Sequence, residues 1–327
     1  MKKCICTLLI LSMAVTAAGC SASEQQMLGA YTASGSDSAS SLVAASAADG
    51  FSSDLSVISR DEASAGYGAA AADDFDAAEV FLTGTDDNKV LAASGIYKTM
   101  PPASLTKILT ALTALKYADD KLDQEFTLTD QVTVSVSGAQ VCGYEPGDVV
   151  TLRTLLYSML IYSGNDAANA VACAVSGDIS SFCEKMNAEA ASLGATHTHF
   201  VTPNGLDQAD HYSTAYDLYL IFRECLKYDL FKDAISHSSY TASFKRDGQT
   251  MSLQFPTTNY YLLGQKTPPE GVTVVGGKTG TTDDAGLCLI LYSTDKDGKG
   301  YISVLLGCPD KDTLYNSMTN LLSNISK

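Results

Sequence analysis

The clearest periodic pattern in the chain begins near residue 103, where Leu105, Ile108, Leu109, Leu112 and Leu115 recur at intervals of three and four just after Pro101-Pro102. The spacing predicts a helix over residues 103–117, roughly 22 Å long at 1.5 Å per residue. Its apolar density predicts burial on several sides, as for a central element. Upstream, residues 78–83 and 89–93 are short apolar runs around Gly84-Thr85-Asp86-Asp87-Asn88 and read as a β-hairpin. Residues 121–150 hold polar turns and short alternating stretches such as 131–136. Leu152, Leu155, Leu156, Met159 and Leu160 then mark a helix from about Thr151 that breaks at Ser163-Gly164-Asn165. Further helical patterns occupy 166–177, 181–193 and 214–226, so the middle of the chain reads as largely helical. Strand patterns return at 272–277, 286–293 and 301–306, the last two joined by the turn-rich stretch 295–300. Leu314, Met318, Leu321, Leu322 and Ile325 mark a closing helix.

Two strands at the front, three at the back and helices between them predict an α+β fold. One antiparallel sheet of about five strands is built from both chain ends and flanked by an all-helical region. A doubly wound parallel sheet is disfavoured, because the regular strand and helix alternation and any Gly-x-Gly-x-x-Gly fingerprint are missing.

The first 75 residues follow other rules. Lys2 and Lys3 precede an uncharged run centred on Leu8-Leu9-Ile10-Leu11, and Ala17-Ala18-Gly19 precede Cys20, the layout of a signal peptide over residues 1–19. The Ala-Ala-Gly-Cys ending resembles a bacterial lipoprotein signal, which implies lipid on Cys20 and attachment at the extracytoplasmic face of the membrane. Without that modification the protein is secreted. Of the 54 residues 21–74, 32 are Ala, Ser or Gly and only Arg60 is basic, so residues 20–75 read as a flexible tether. The folded domain is expected over 76–327.

Charge narrows the function classes. Lys and Arg number 21 against 37 Asp and Glu, a net charge of −16, which argues against a nucleic-acid surface; an acidic ligand needs a local basic pocket. Beyond Cys4, Cys6 and Cys20 there remain Cys142, Cys173, Cys183, Cys225, Cys288 and Cys308, an even set that allows three bridges or buried free thiols. Neither the cysteines nor the four histidines show metal-ligand spacing, and no metal or cofactor is expected.

Three short stretches carry candidate chemistry. Ser104 and Lys107, three apart at the mouth of the strongest helix, share one face, and the helix dipole there favours a developing negative oxygen. Read structurally, Ser104 is a cap and Lys107 an exposed solubilising residue; the apolar neighbours Leu105, Ile108 and Leu109 weigh against that. Ser163-Gly164-Asn165 lies at a helix break, where a second hydroxyl and an amide can project, although the same residues suit an ordinary turn. Lys278-Thr279-Gly280 closes a predicted strand and presents a cation and a hydroxyl to an anionic group, with Gly280 allowing close backbone approach.

In that order, separated by 59 and 115 residues, these stretches resemble the three motifs of penicillin-binding proteins and serine β-lactamases. Residues 102–112, Asn204-Gly205-Leu206-Asp207, residues 211–217 and residues 277–286 are similar to the low-molecular-mass D-alanyl-D-alanine carboxypeptidase branch. The resemblance spans about residues 76–325 and implies a β-lactamase/transpeptidase-like fold. It also implies a monomer acting on peptidoglycan stem peptides that end in D-Ala-D-Ala, with β-lactams as covalent inhibitors. Ser104 is then the nucleophile and Lys107 its base. Ser163 relays a proton to the leaving amine, Asn165 orients the substrate amide, and Lys278 with Thr279 and Gly280 receives the terminal carboxylate. The amides of Ser104 and Thr281 match the oxyanion hole. A lysine base must be neutral; bringing an amine down from about 10.4 to neutrality costs about 4 kcal/mol and needs burial or a neighbouring cation, for which Lys278 is at hand.

Three departures and three rival readings accompany the resemblance. Gly164 in the second motif is expected to loosen that corner. The chain stops at Lys327 after a single closing helix, where relatives often continue into a C-terminal β-rich domain and an amphipathic membrane helix, so attachment is expected through Cys20. No arginine follows Lys278, and nothing in the sequence places Lys296, Lys299 or Lys311 in the cleft. A class A-like β-lactamase is disfavoured because residues 166–277 lack a Glu-x-x-x-Asn loop. A D,D-endopeptidase shares every motif, and an inactive lipid-anchored peptidoglycan-binding protein is the reading outside enzymes.

Overall fold

The computed structural model describes residue 56 and residues 58–71 and 75–326. The predicted signal peptide, Cys20 and the tether up to residue 55 lie outside the described residues.

Ten strands form two antiparallel sheets among the described residues. The front of the chain supplies β1 (Tyr67–Gly68), β2 (Glu79–Gly84) and β3 (Val90–Ser94). The middle supplies β4 (Glu125–Thr127), β5 (Val149–Thr151), β6 (Ser239–Arg246) and β7 (Gln249–Pro256). The back supplies β8 (Val272–Thr282), β9 (Gly286–Asp295) and β10 (Gly300–Cys308). The main sheet runs β1-β3-β2-β10-β9-β8, uniting both chain ends as expected but with six strands rather than about five. Its central strands are covered on both faces. Along β9 and β10, Cys288, Ile290, Ile302, Val304 and Leu306 pack into the helical core, while Leu289, Leu291, Leu305 and Cys308 face the opposite side. That is the period-two alternation of a strand buried on both sides, and it explains why these stretches read as continuous apolar runs.

The second sheet, β4-β5-β6-β7, is a correction to the expected single sheet. Its β6–β7 hairpin turns at Asp247-Gly248, both in the left-handed region at φ of 51° and 75°. Asp-Gly is the residue pair that such a two-residue turn favours.

The helices are α1 (Arg60–Ala65), α2 (Thr106–Ala118), α3 (Leu152–Tyr157), α4 (Asn165–Ser176), α5 (Ile179–Ser192), α6 (Ala215–Cys225), α7 (Asp229–Ser236) and α8 (Lys311–Leu322). A 3₁₀ turn, Ala103–Leu105, leads into α2, every residue of which from Thr106 to Leu115 is buried. Ile108, Leu109, Leu112 and Leu115 each contribute about 2 kcal/mol by leaving water, so α2 is the axis of the helical region. Caps set the ends of its neighbours: Asp178 accepts from Ser181 N at 2.8 Å to start α5, and Gly177 at φ 85° ends α4. Opposite the helical core, Leu314, Met318, Leu321 and Leu322 of α8 cover the other face of the main sheet.

Two further expectations change. Residues 131–136 form no strand; Asp130–Val132 is a 3₁₀ turn. Within the expected tether, α1 carries a capping box in which Ser59 accepts from Glu62 N at 3.2 Å, and β1 pairs with β3. Ile58 and Ala63 are buried in the helical core and Ala70 on the opposite side, so the folded unit starts well before residue 76. Small side chains there fill a close backbone approach, which composition alone reads as inability to fold. The six described cysteines are free thiols. No helix among the described residues is long and apolar enough to cross a membrane.

Candidate active site

The three motifs arrive from three different elements. Ser104 lies in the 3₁₀ turn ahead of α2, directly after Ala103 at φ 48°, and Lys107 is in the first turn of α2. Ser163 sits in the left-handed region at φ 68°, between a π-helical turn (Ser158–Tyr162) and α4. A left-handed non-glycine residue costs roughly 1–2 kcal/mol, and here one, Ala103, directly precedes Ser104 and the other is Ser163 itself. Lys278, Thr279, Gly280 and Thr281 lie inside β8; the expected strand end before Lys278 is displaced to Thr282. β8 runs beside the nucleophile turn because Gly280 has no side chain. A Cβ there would stand 3.1 Å from both Ala103 Cβ and Ser104 N.

Two buried lysine side chains organise the site. Lys107 is 0% exposed; its Nζ lies 2.9 Å from Ser104 Oγ, 2.8 Å from Asn165 Oδ1 and 2.6 Å from the backbone oxygen of Asn204. Lys278 is 1% exposed, and its Nζ lies 2.8 Å from Ser163 Oγ and 2.9 Å from its neighbour's carbonyl, Thr279 O. Loss of hydration holds the Lys107 amine well below the usual lysine range, and the positive Lys278 nearby pushes in the same direction. Burial alone brings Lys278 down to about 7.

An ammonium at Lys107 can donate to all three oxygens, and a neutral amine finds partners there too. With two N–H groups and one lone pair, it donates to Asn165 Oδ1 and to Asn204 O, neither of which can donate in return. The lone pair is left for the one partner with a proton to give, the Ser104 hydroxyl. The arrangement therefore holds a hydroxyl against a base and a second hydroxyl against a cation, with an oxygen-poor cation site beside them that invites an anion.

Several supports had no role assigned from the sequence, although Asn204 and His211 lie in stretches that carry the family resemblance. Asn204 offers Lys107 a main-chain oxygen, and its own side-chain Nδ2 donates to Asn169 Oδ1 at 2.9 Å, which fixes the turn. His211 accepts from Val201 N at Nδ1, so the proton resides on Nε2 and is donated to Thr106 Oγ1 at 2.7 Å. Burial pushes this imidazole down to about 4, which keeps it neutral. The Asp166 carboxylate accepts from the amides of Cys142, Gly143, Tyr144 and Ala167 at 2.8–3.0 Å, pinning the 142–144 segment to the start of α4. Gly164 does not loosen its corner. Cys142 Sγ fills the space, only 2.3 Å from where a Cβ would stand. Outside the site, Lys299 pairs with Asp87 at 2.6 Å, Lys311 bonds Tyr260 Oη at 3.1 Å and Lys296 lies 4.0 Å from Asp297.

A profile of the D-alanyl-D-alanine carboxypeptidase family, peptidase S11, matches residues 67–310. The chain is 32% identical over 254 residues to the D-alanyl-D-alanine carboxypeptidase DacF of Bacillus subtilis (strain 168), covering 76% of this chain and 61% of that protein. It is 38% identical over 203 residues to the D-alanyl-D-alanine carboxypeptidase DacB2 of Mycobacterium tuberculosis H37Rv, covering 61% of this chain and 64% of that one. Among solved structures it is similar to the DD-transpeptidase of Streptomyces K15, with a TM-score of 0.70 and 27% identity over 76% of this chain and 97% of that one. The chain thus spans between 61% and 64% of the length of these two curated relatives.

Proposed function

Because this chain belongs to the D-alanyl-D-alanine carboxypeptidase family, we propose that it is a serine-type D,D-carboxypeptidase. It removes the terminal D-Ala from peptidoglycan stem pentapeptides through an acyl-enzyme on Ser104, and β-lactams inhibit it by acylating the same oxygen. The observation that carries this reading is the buried Lys107 Nζ, 2.9 Å from Ser104 Oγ and depressed in pKa by burial and by Lys278.

In this reading Lys107 takes the Ser104 proton as Oγ bonds to the carbonyl carbon of the penultimate D-Ala. The oxyanion forms against the amides of Ser104 and Thr281; loss of one such donor costs roughly 3 kcal/mol in comparable hydrolases. Lys278 and the Thr279 hydroxyl hold the terminal carboxylate beside Gly280, and an anion there raises the Lys278 pKa again by supplying the missing counter-charge. Ser163, bonded to Lys278 at 2.8 Å, passes a proton to the departing D-Ala amine and takes one in turn from protonated Lys107, which restores the base. Asn165 orients the substrate amide and the base. Water then resolves the ester and frees the shortened peptide. The Ala17-Ala18-Gly19-Cys20 stretch supports a lipid anchor on Cys20 at the extracytoplasmic face.

Mass analysis of a peptide ending in D-Ala-D-Ala after incubation with the protein tests the reading. Loss of one alanine by the wild type and none by Ser104→Ala is expected. An intact peptide with wild type, or equal cleavage by Ser104→Ala, overturns it.

A further inference from the structure

The carboxylate end of the site has a partner outside the three motifs. Thr258, half-buried just after β7, places its Oγ1 2.5 Å from Thr279 Oγ1. The segment that carries it is braced from the far face of the main sheet. Tyr315 of α8 accepts from Tyr260 N at 3.0 Å, and its ring stacks on that of Tyr260 at 4.8 Å and 8°. Asn259 Oδ1 accepts from Tyr261 N at 3.0 Å, and Tyr261 Oη lies 2.8 Å from Thr319 Oγ1. Thr258 is therefore set by a rigid aromatic brace.

We propose that Thr258 is a positioning residue for the carboxylate-binding hydroxyl of Thr279, and so sets preference for a free carboxyl terminus; the inference rests on the functional reading above. A carboxylate only accepts, so Thr279 must donate to it. Thr279 can do so without losing its second partner only if Thr258 is the donor within the pair. The chain of donors then runs Thr258 to Thr279 to carboxylate, each bond polarising the next. The device matters here because the later lysines are engaged elsewhere, and Arg153 and Arg246 are bonded to Asp123 and to Asp148 with Glu145. One cation, itself brought down to about 7, carries the electrostatics, so an ordered hydroxyl adds a share that a bidentate guanidinium would otherwise swamp.

The test is steady-state hydrolysis of a D-Ala-D-Ala peptide by wild type, Thr258→Val, Thr258→Ser, Thr279→Val and the double valine variant, with thermal melting of each. Thr258→Val should raise KM about tenfold with kcat within about twofold, while Thr258→Ser stays within about twofold of wild type in both. In the Thr279→Val background the Thr258→Val change should add nothing, because its route is gone. An unchanged KM in Thr258→Val, a loss confined to kcat, or a full additive loss in the double variant overturns the inference while the functional reading stands. A wild type that leaves the peptide intact overturns both.

Discussion

Lys107 and Lys278 are both almost wholly buried and neither bonds a carboxylate, yet the groups around them prepare them for opposite work. Lys107 is surrounded by three oxygens, two of which only accept, so a neutral amine there keeps two donated bonds and turns its lone pair to Ser104. Lys278 bonds the Ser163 hydroxyl and the Thr279 carbonyl and, among the described residues, has no further hydrogen-bond acceptor, which leaves room for an anion. In the proposed mechanism one side-chain type serves as base at one position and as anion anchor at the other, according to its hydrogen-bond partners. The coupling runs from Lys278 to Lys107, since the charge on Lys278 is one of the causes that hold the Lys107 amine below the usual lysine range.

Three substitutions probe that contrast, in decreasing order of effect. Lys107→Ala removes the base and should slow covalent labelling by a fluorescent penicillin by on the order of a thousandfold; labelling at the wild-type rate would break the assignment of Lys107 as the neutral partner. Lys278→Ala removes the anchor and should cut the same acylation by about a hundredfold, mainly through weaker initial binding, whereas an effect on the bond-forming rate alone would place Lys278 in proton transfer.

The smallest effect is on stability. Lys278 is depressed to about 7 in the folded protein, so between that pH and the ordinary lysine value the unfolded chain binds one more proton than the folded one. Stability contributed by this position therefore rises with pH from about 7 toward 10 and is flat below 7. Lys278→Met should accordingly stabilise the protein at pH 6, by on the order of 1 kcal/mol, with the advantage fading toward pH 10 in thermal melts. A Lys278→Met variant that is less stable at pH 6 would show that the buried ammonium is already compensated.

The two sheets differ in how openly the chain announces them. The main sheet was legible because its strands are covered on both faces and therefore appear as unbroken apolar runs such as Leu287–Leu291, flanked by turn residues. The second sheet was not: along β6 only Ala242 and Phe244 are buried, and along β7 only Phe255. Its one local signal was Asp247-Gly248, which predicts a hairpin on turn chemistry alone. The N-terminal segment was misjudged for a related reason. Its alanines and serines carry little hydrophobic signal, but Ser59 and Glu62 spell a capping box, and Ala63 packs because the neighbouring backbone is close.

Within the site, side-chain chemistry was visible and main-chain chemistry was not. The residue types and order of Ser104, Lys107, Ser163, Asn165 and Lys278 were enough to expect a hydroxyl nucleophile, a base, a relay and an anion site. Asn204 lies in a stretch that carries the family resemblance, but its contact is made by a carbonyl that every residue possesses, and Thr258 bonds a neighbour twenty-one positions away, so neither contact is legible in local sequence.

By itself the sequence determined the periodicities, the turn chemistry and the set of reactive groups, because these depend on side chains and near neighbours. Only the tertiary structure decided that the Lys107 amine is held well below the usual lysine range. That property comes from excluded water and from a second lysine 171 positions along the chain, and both exist only once helix and sheet have closed on each other.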